Sequence, residues 1–366
     1  MRTMEEQVEA NGTHVASKPI KLPRPLKMER DFFEGKRLTS EERRAAGKAL
    51  RDKVPRESHG EWKERPDRPN PIDILIASNK GRIPELVPIR HGRMLTSPFA
   101  YLRGAAAGMA SDLSTTSVSG IRVQACGDCH LMNFGAFATP ERNIIFDIND
   151  FDETLPAPWE WDVKRLAASL VAAGRYIGLK ERDSLAPALS AARSYRRSMA
   201  RYADMRAMEV WYDRVDVERV IAEFAPAAQK RFRARVEKAR TQSALDHDFP
   251  KLVESTGARP RIKDNPPLIF HEQGSRRKEV RDNVLDAFKT YRNTLTDPYR
   301  VLLDRFRLYD LAIKVVGVGS VGTFCAVTLF WPLTTIRCFF RSNKPMPRCS
   351  SPTRARVSTP ITGNAL

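Results

Sequence analysis

Gly127-Asp128-Cys129-His130-Leu131-Met132-Asn133, followed by Asn143-Ile144-Ile145-Phe146-Asp147-Ile148-Asn149-Asp150-Phe151-Asp152-Glu153, is the stretch that decides the fold. It sets an acid, an amide and further acids in the order that kinase-type phosphoryl transfer uses. In that chemistry one Asp of a catalytic loop accepts the hydroxyl proton, an Asn of the same loop holds Mg²⁺, and a later Asp holds the metal against the phosphates. Asp128 and Asn133 stand in a D-x-x-x-x-N relation, and Asp150-Phe151 follows the apolar β run Ile144 to Phe146, as a metal-binding Asp-Phe pair does. Asp147 competes with Asp150 for the metal, and spacing leaves both open. The plain alternative is a polar loop beside a capped strand end.

Further residues carry a family resemblance. They are Val87-Pro88-Ile89-Arg90, Arg93-Met94, Ser97 to Gly104, the Gly127 to Gly135 loop, Phe146 to Glu153, Trp161-Asp162-Val163-Lys164-Arg165, and Lys314 to Thr323. Over about residues 40 to 330 the chain resembles the bacterial family called domain of unknown function 2252 (DUF2252), grouped with the protein-kinase-like and aminoglycoside-phosphotransferase-like fold. The resemblance implies a fold and a site rather than a substrate. It lends Asp162 a part in bracing the catalytic loop; from the residues alone Asp162 is equally an N-cap of the helix opened by Trp159-Glu160-Trp161. His130, placed with Asp128 in the catalytic group, stands two after the Asp, where antibiotic-phosphotransferase-like loops carry His; it is read as ordering the loop rather than taking the proton.

Gly317-Val318-Gly319-Ser320-Val321-Gly322 lies between two β-branched runs and reads as a strand-turn-strand loop whose backbone N–H groups can approach phosphates, with Gly317, Gly319, Ser320 and Gly322 as nucleotide contacts. Phe324 stands where the longer kinase pattern has Val. The loop follows the catalytic stretch instead of preceding it, so the lobe order is expected to be permuted. A kinase-like small lobe also needs a strand lysine, which the family carries in a segment resembling Leu-Phe-Leu-Gln-(Val/Ile)-Lys. This chain has Trp331 to Lys344 there, then a Pro/Ser/Arg/Thr tail. A reading-frame slip near Phe330 accounts for it: permitted codons for Thr334 to Ala355, shifted by two bases, can restore a family-like strand. Lys344 is then not the phosphate lysine.

Formal net charge is +18, which would suggest an anionic partner, but Trp331 to Leu366 holds six Lys/Arg and no Asp or Glu, a third of the excess. No aromatic-basic stacking motif or zinc-finger spacing favours nucleic acid. Five cysteines and no secretory leader suggest a reducing, cytoplasmic setting. Cys126 and Cys129 form a C-x-x-C without a second pair at zinc spacing. No apolar run reaches about 18 residues, so no membrane span is expected.

Residues 1–37 read as a disordered basic terminus. A helix is expected after Ser40, ending before Pro55, then short and longer helices over Pro71 to Asn79 and Pro98 to Leu113. Arg103 on the latter is a candidate phosphate contact or, alternatively, an ion-pair partner. A strand Ile121 to Ala125 delivers the loop, a helix runs from Trp159 to about Ile177, and helical periodicity covers Asp183 to Arg240 and Asn283 to Tyr309. The expected architecture is α+β and protein-kinase-like: a mostly helical lobe over 38–310, a partial β-hairpin lobe over 311–330, and an aberrant disordered tail over 331–366.

The function expected is an ATP- and Mg²⁺-dependent phosphotransferase acting on an unknown acceptor. The alternative is a truncated or non-catalytic nucleotide-binding protein. A metallophosphoesterase is a lesser reading of Gly127-Asp128-Cys129-His130, since no later Gly-Asn-His accompanies it.

Overall fold

In the computed structural model the described residues are 38–332, apart from 140, 142, 242–248 and 257–258, together with 338–344. The expected disorder of 1–37 and of most of the tail (333–337 and 345–366) lies outside them. The fold is α+β, with helices and small antiparallel sheets.

The helical part begins with α1 (Ser40–Lys53), where Thr39 and Glu42 form a reciprocal capping box. Next come α2 (Pro71–Ala77), α3 (Val87–Met94), α4 (Pro98–Gly104) and α5 (Ala106–Leu113). The helix expected over Pro98 to Leu113 is thus two. Gly104 is pressed against Met94, where a Cβ would come within 2.6 Å of its sulfur, and Ala105 leaves helical geometry at φ −113°, ψ 36°. After the hairpin strands, α6 (Trp159–Tyr176) packs on α7 (Glu181–Asp204). Gly174 meets Ser184 there, so any larger residue would push the two helices apart. The rest of the helical stretch divides into α8 (Ala207–Tyr212), α9 (Val217–Ala222) and α10 (Pro226–Thr241), and α11 (Phe249–Leu252) follows.

Strands β1 (Arg122–Ala125) and β4 (Leu155–Pro158) pair with each other, as do β2 (Phe134–Ala138) and β3 (Ile144–Ile148), and β5 (Val253–Thr256) and β6 (Arg259–Ile262). The largest sheet has the order β10-β9-β8-β7, from β7 (Ile269–Phe270), β8 (Phe306–Lys314), β9 (Phe324–Pro332) and β10 (Cys338–Lys344). Helices α12 (Gly274–Thr294) and α13 (Asp297–Leu303) separate β7 from β8.

Two expectations fail in this sheet. Phe306 to Tyr309 is strand, not helix, because exposure alternates with period two from Phe306 to Tyr309, and a register shift between Leu308 and Asp310 absorbs one residue. The tail is not wholly irregular either. Cys338–Lys344 adds a strand to β9, as β-prone Cys-Phe-Phe does against an open edge.

Ala312, Val327, Leu329, Val253 and Ile262 form the core beneath the sheet. A second cluster, Ile83, Leu86, Val315 and Val321, ties the turn before β9 to the helices near α3.

Candidate functional site

Gly127 turns the chain out of β1 at φ +85°, and a Cβ there would run into the carbonyl oxygen of Glu153, so only glycine fits. Asp162, in the first turn of α6, accepts from Cys126 N at 2.7 Å and Gly127 N at 3.1 Å. It is therefore not the N-cap of α6, a place held by Pro158. Ser169, fully buried, accepts from Leu131 N at 2.9 Å.

Asn133 is the cross-link. Its side-chain nitrogen donates to Asp128 O and to Asp150 O, both at 3.1 Å, and its own carbonyl accepts from Asn149 N at 2.8 Å. The loop, Asn133 and Asp150 thus come to one place. Asp147 lies on the exposed face of β3 with Oδ1 accepting from Ile148 N at 2.8 Å, and the Asp150 carboxylate accepts from Asp152 N at 3.3 Å.

The Asp128 carboxylate is largely enclosed, and Arg165 Nε donates to its Oδ1 at 2.6 Å while Arg165 Nη2 also reaches it. Nη2 further holds Leu102 O at 2.8 Å. His130 Nε2 is 3.6 Å from Asp128 Oδ2, beyond hydrogen-bond range, and the buried Nδ1 has no partner among the described residues. Burial pushes its pKa down against the pull of Asp128, with Arg165 and Arg103 adding to the fall, so the imidazole is neutral near pH 7.

Further acids lie near Asp128. Glu153 is pushed up to about 7, first by desolvation and then by the negative charge of Asp128, Asp152 and Asp150. Glu153 keeps solvent-exposed surface. Among the described residues no three His, Cys, Asp or Glu side chains could hold a metal by themselves. The donors present, Asp150 carboxylate and Asn133 Oδ1, suit Mg²⁺, which takes one or two protein oxygens and completes its shell with phosphates and water. Cys126 and Cys129 are buried free thiols. The Cys129 thiol is pushed up by its hydrogen bond to Cys126 and by burial, so it stays protonated and unreactive.

The glycine-rich turn joins β8 to β9 as expected, with Gly317 at φ +66° and Gly322 at φ +86°. Its bareness also serves packing. A Cβ on Gly319 would sit 2.9 Å from Arg103 O, and one on Gly322 3.1 Å from the Arg82 side chain. Arg93 Nη1 donates to Gly317 O at 2.5 Å, Arg82 Nη1 to Val321 O at 2.6 Å, and Ile83 N to Gly322 O at 2.8 Å. The N–H groups of Gly319 and Ser320 have no partner among the described residues. Lys344 is opposite Phe324 in the β10–β9 register.

Sequence reasoning singled out Arg103 near this turn but gave no site role to Arg82, Arg90 and Arg93. Arg90 is 1 % exposed, bonds to Ser78 Oγ, Asn79 Oδ1 and Gly104 O, and has its pKa pushed down to about 10 by burial and by Arg82. Among the described residues none of Arg82, Arg90, Arg93 and Arg103 makes an ion pair. Residues 82–103 hold these four arginines against the single acid Glu85, and that imbalance was the available signal.

The family model described as "Uncharacterized protein conserved in bacteria (DUF2252)" matches residues 82–334, more than two thirds of the chain. The chain belongs to the DUF2252 family. No curated protein and no solved structure matches it. In this DUF2252 member the matched span begins at Arg82 and takes in the arginine group, the Asp128 loop and the glycine turn.

Proposed function

We propose that this DUF2252 protein has a kinase-like fold of permuted lobe order and binds ATP with Mg²⁺ for phosphoryl transfer to an acceptor hydroxyl in the cytoplasm. The observation that carries the reading is the Asn133 side chain bonded at 3.1 Å to the backbone of both Asp128 and Asp150. It supports a loop acid and a hairpin acid acting on one ligand. Asp150 and Asn133 Oδ1 would hold the metal, whose charge offsets that of the phosphates. Asp128 takes the hydroxyl proton, held in place by Arg165, and neutral His130 fixes the loop. The N–H groups of Gly319 and Ser320 face the phosphates. Equilibrium titration with ATP in Mg²⁺ and in EDTA tests this: saturable binding is expected only with the metal, and equal or absent binding in both rejects it.

A second reading, nucleotide binding without transfer, is favoured by the Arg165 clamp. The guanidinium occupies Asp128 Oδ1 with two donors, the oxygen that a proton transfer would otherwise use. The unrestored strand lysine points the same way, and we attribute its loss to the frame slip near Phe330. The coding DNA read in the shifted frame either restores the strand or removes that explanation.

A further inference from the structure

Arg103 is charged, half-buried and without a hydrogen bond or ion pair among the described residues, and its Nε is enclosed with no partner. It sits where two loops meet. Its carbonyl lies under Gly319, and its guanidinium is near enough to His130 to depress that residue's ionisation. The one carboxylate of the catalytic loop, Asp128, is already held by Arg165. Across the turn the N–H groups of Gly319 and Ser320 also lack partners among the described residues. The neighbouring Arg82, Arg90 and Arg93 add positive charge, with no direct ion pair among the described residues and with Glu153 as the acid that acts on Arg82. A buried donor such as Arg103 Nε is costly unless an acceptor arrives, and a planar guanidinium on the residue that packs under Gly319, with the free N–H groups of the turn, has the donor set that a tetrahedral oxyanion takes.

We propose that Arg103, with the Gly319 and Ser320 N–H groups, forms a subsite for a phosphoryl group, supplying the cation that a strand lysine provides in kinase-like proteins. As the seat of a nucleotide's terminal phosphate it rests on the function proposed above. As an oxyanion subsite it stands without it, because free orthophosphate has the same chemistry.

The test is calorimetric titration of the full chain with orthophosphate, without metal, at constant ionic strength, and separately with Mg-ATP and Mg-ADP. Orthophosphate should bind, and Arg103→Gln should weaken it about tenfold or more while exposed Arg197→Gln leaves it unchanged. If Arg103→Gln does not fold, Arg103→Lys decides, with an expected loss of about threefold or more because the fork is gone but the charge remains. The same substitution should weaken Mg-ATP more than Mg-ADP. No orthophosphate binding by the parent chain, or equal affinity in the Arg103 variants, overturns the subsite. Orthophosphate binding through Arg103 with no ATP binding would retain the subsite and remove the nucleotide reading. ATP binding indifferent to Arg103 would do the reverse.

Discussion

The Asp128 loop and the glycine turn, linked through Arg103, balance their charges in opposite ways. In the first, each central charge has a partner: Asp128 has Arg165, and Asp162 has two backbone N–H groups. Near the second, Arg82, Arg90 and Arg93 bond to carbonyl and neutral side-chain oxygens, and the Arg103 side chain has no hydrogen bond among the described residues. The first side is held together within the chain itself, whereas the subsite proposed at the second would be completed by a ligand. Substitutions in the first should therefore damage folding, and substitutions in the second should damage anion binding.

The largest effect is expected from Arg165→Ala, which leaves the enclosed Asp128 carboxylate alone and should cost about 3–5 kcal/mol in urea denaturation. A loss under about 1 kcal/mol would show the pair to be peripheral. Gly127→Ala comes next. Its left-handed backbone and the collision with Glu153 O should together cost about 3 kcal/mol. Gly108→Ala, in open space on α5, should gain about 0.5–1 kcal/mol and so serves as the control. Asp162→Asn keeps the shape but loses the charge beneath Cys126 N and Gly127 N, for about 1–2 kcal/mol. Hydrogen exchange of those two amides should accelerate; unchanged protection would argue against the brace.

The smallest effect is pH-dependent and lies outside both regions. His271 bridges Asp264 at 2.7 Å and Asp310 at 3.1 Å, and its pKa is raised chiefly by the hydrogen bond to Asp310, with Asp264 adding. Its stabilisation is full below the unfolded value near 6.5 and disappears as pH rises through the higher folded value. Both carboxylates are depressed by His271, so their share disappears instead as pH falls below about 3.8. The midpoint of thermal unfolding should thus decline across pH 6 to 8, and His271→Gln should flatten that slope. A slope unchanged by the substitution would show that the bridge contributes nothing.

The difference between the two regions also explains what could be read from the chain. Asp128, Asn133 and Asp150 fall within one loop and hairpin, so spacing points to the junction where the Asn133 amide bonds the Asp128 and Asp150 carbonyls, but it does not announce that Asp147 lies on the exposed face of β3. Arg93 and Gly317 are 224 positions apart, and no periodic signal links them. The first four residues of β8, Phe306 to Tyr309, read as helix because Asn283 to Thr294 is helical and the change of period at Phe306 spans few residues. The break at Ala105 depends on Met94 pressing on Gly104, a contact between helices that a run of small residues does not announce.

The most direct test of the central claim is titration of Mg-ATP into the parent chain, Asp150→Asn and Asp147→Asn. If Asp150 shares a ligand with the Asp128 loop, Asp150→Asn should weaken binding about tenfold or more while Asp147→Asn matches the parent. Equal effects of the two substitutions, or no binding by the parent chain, would contradict the account.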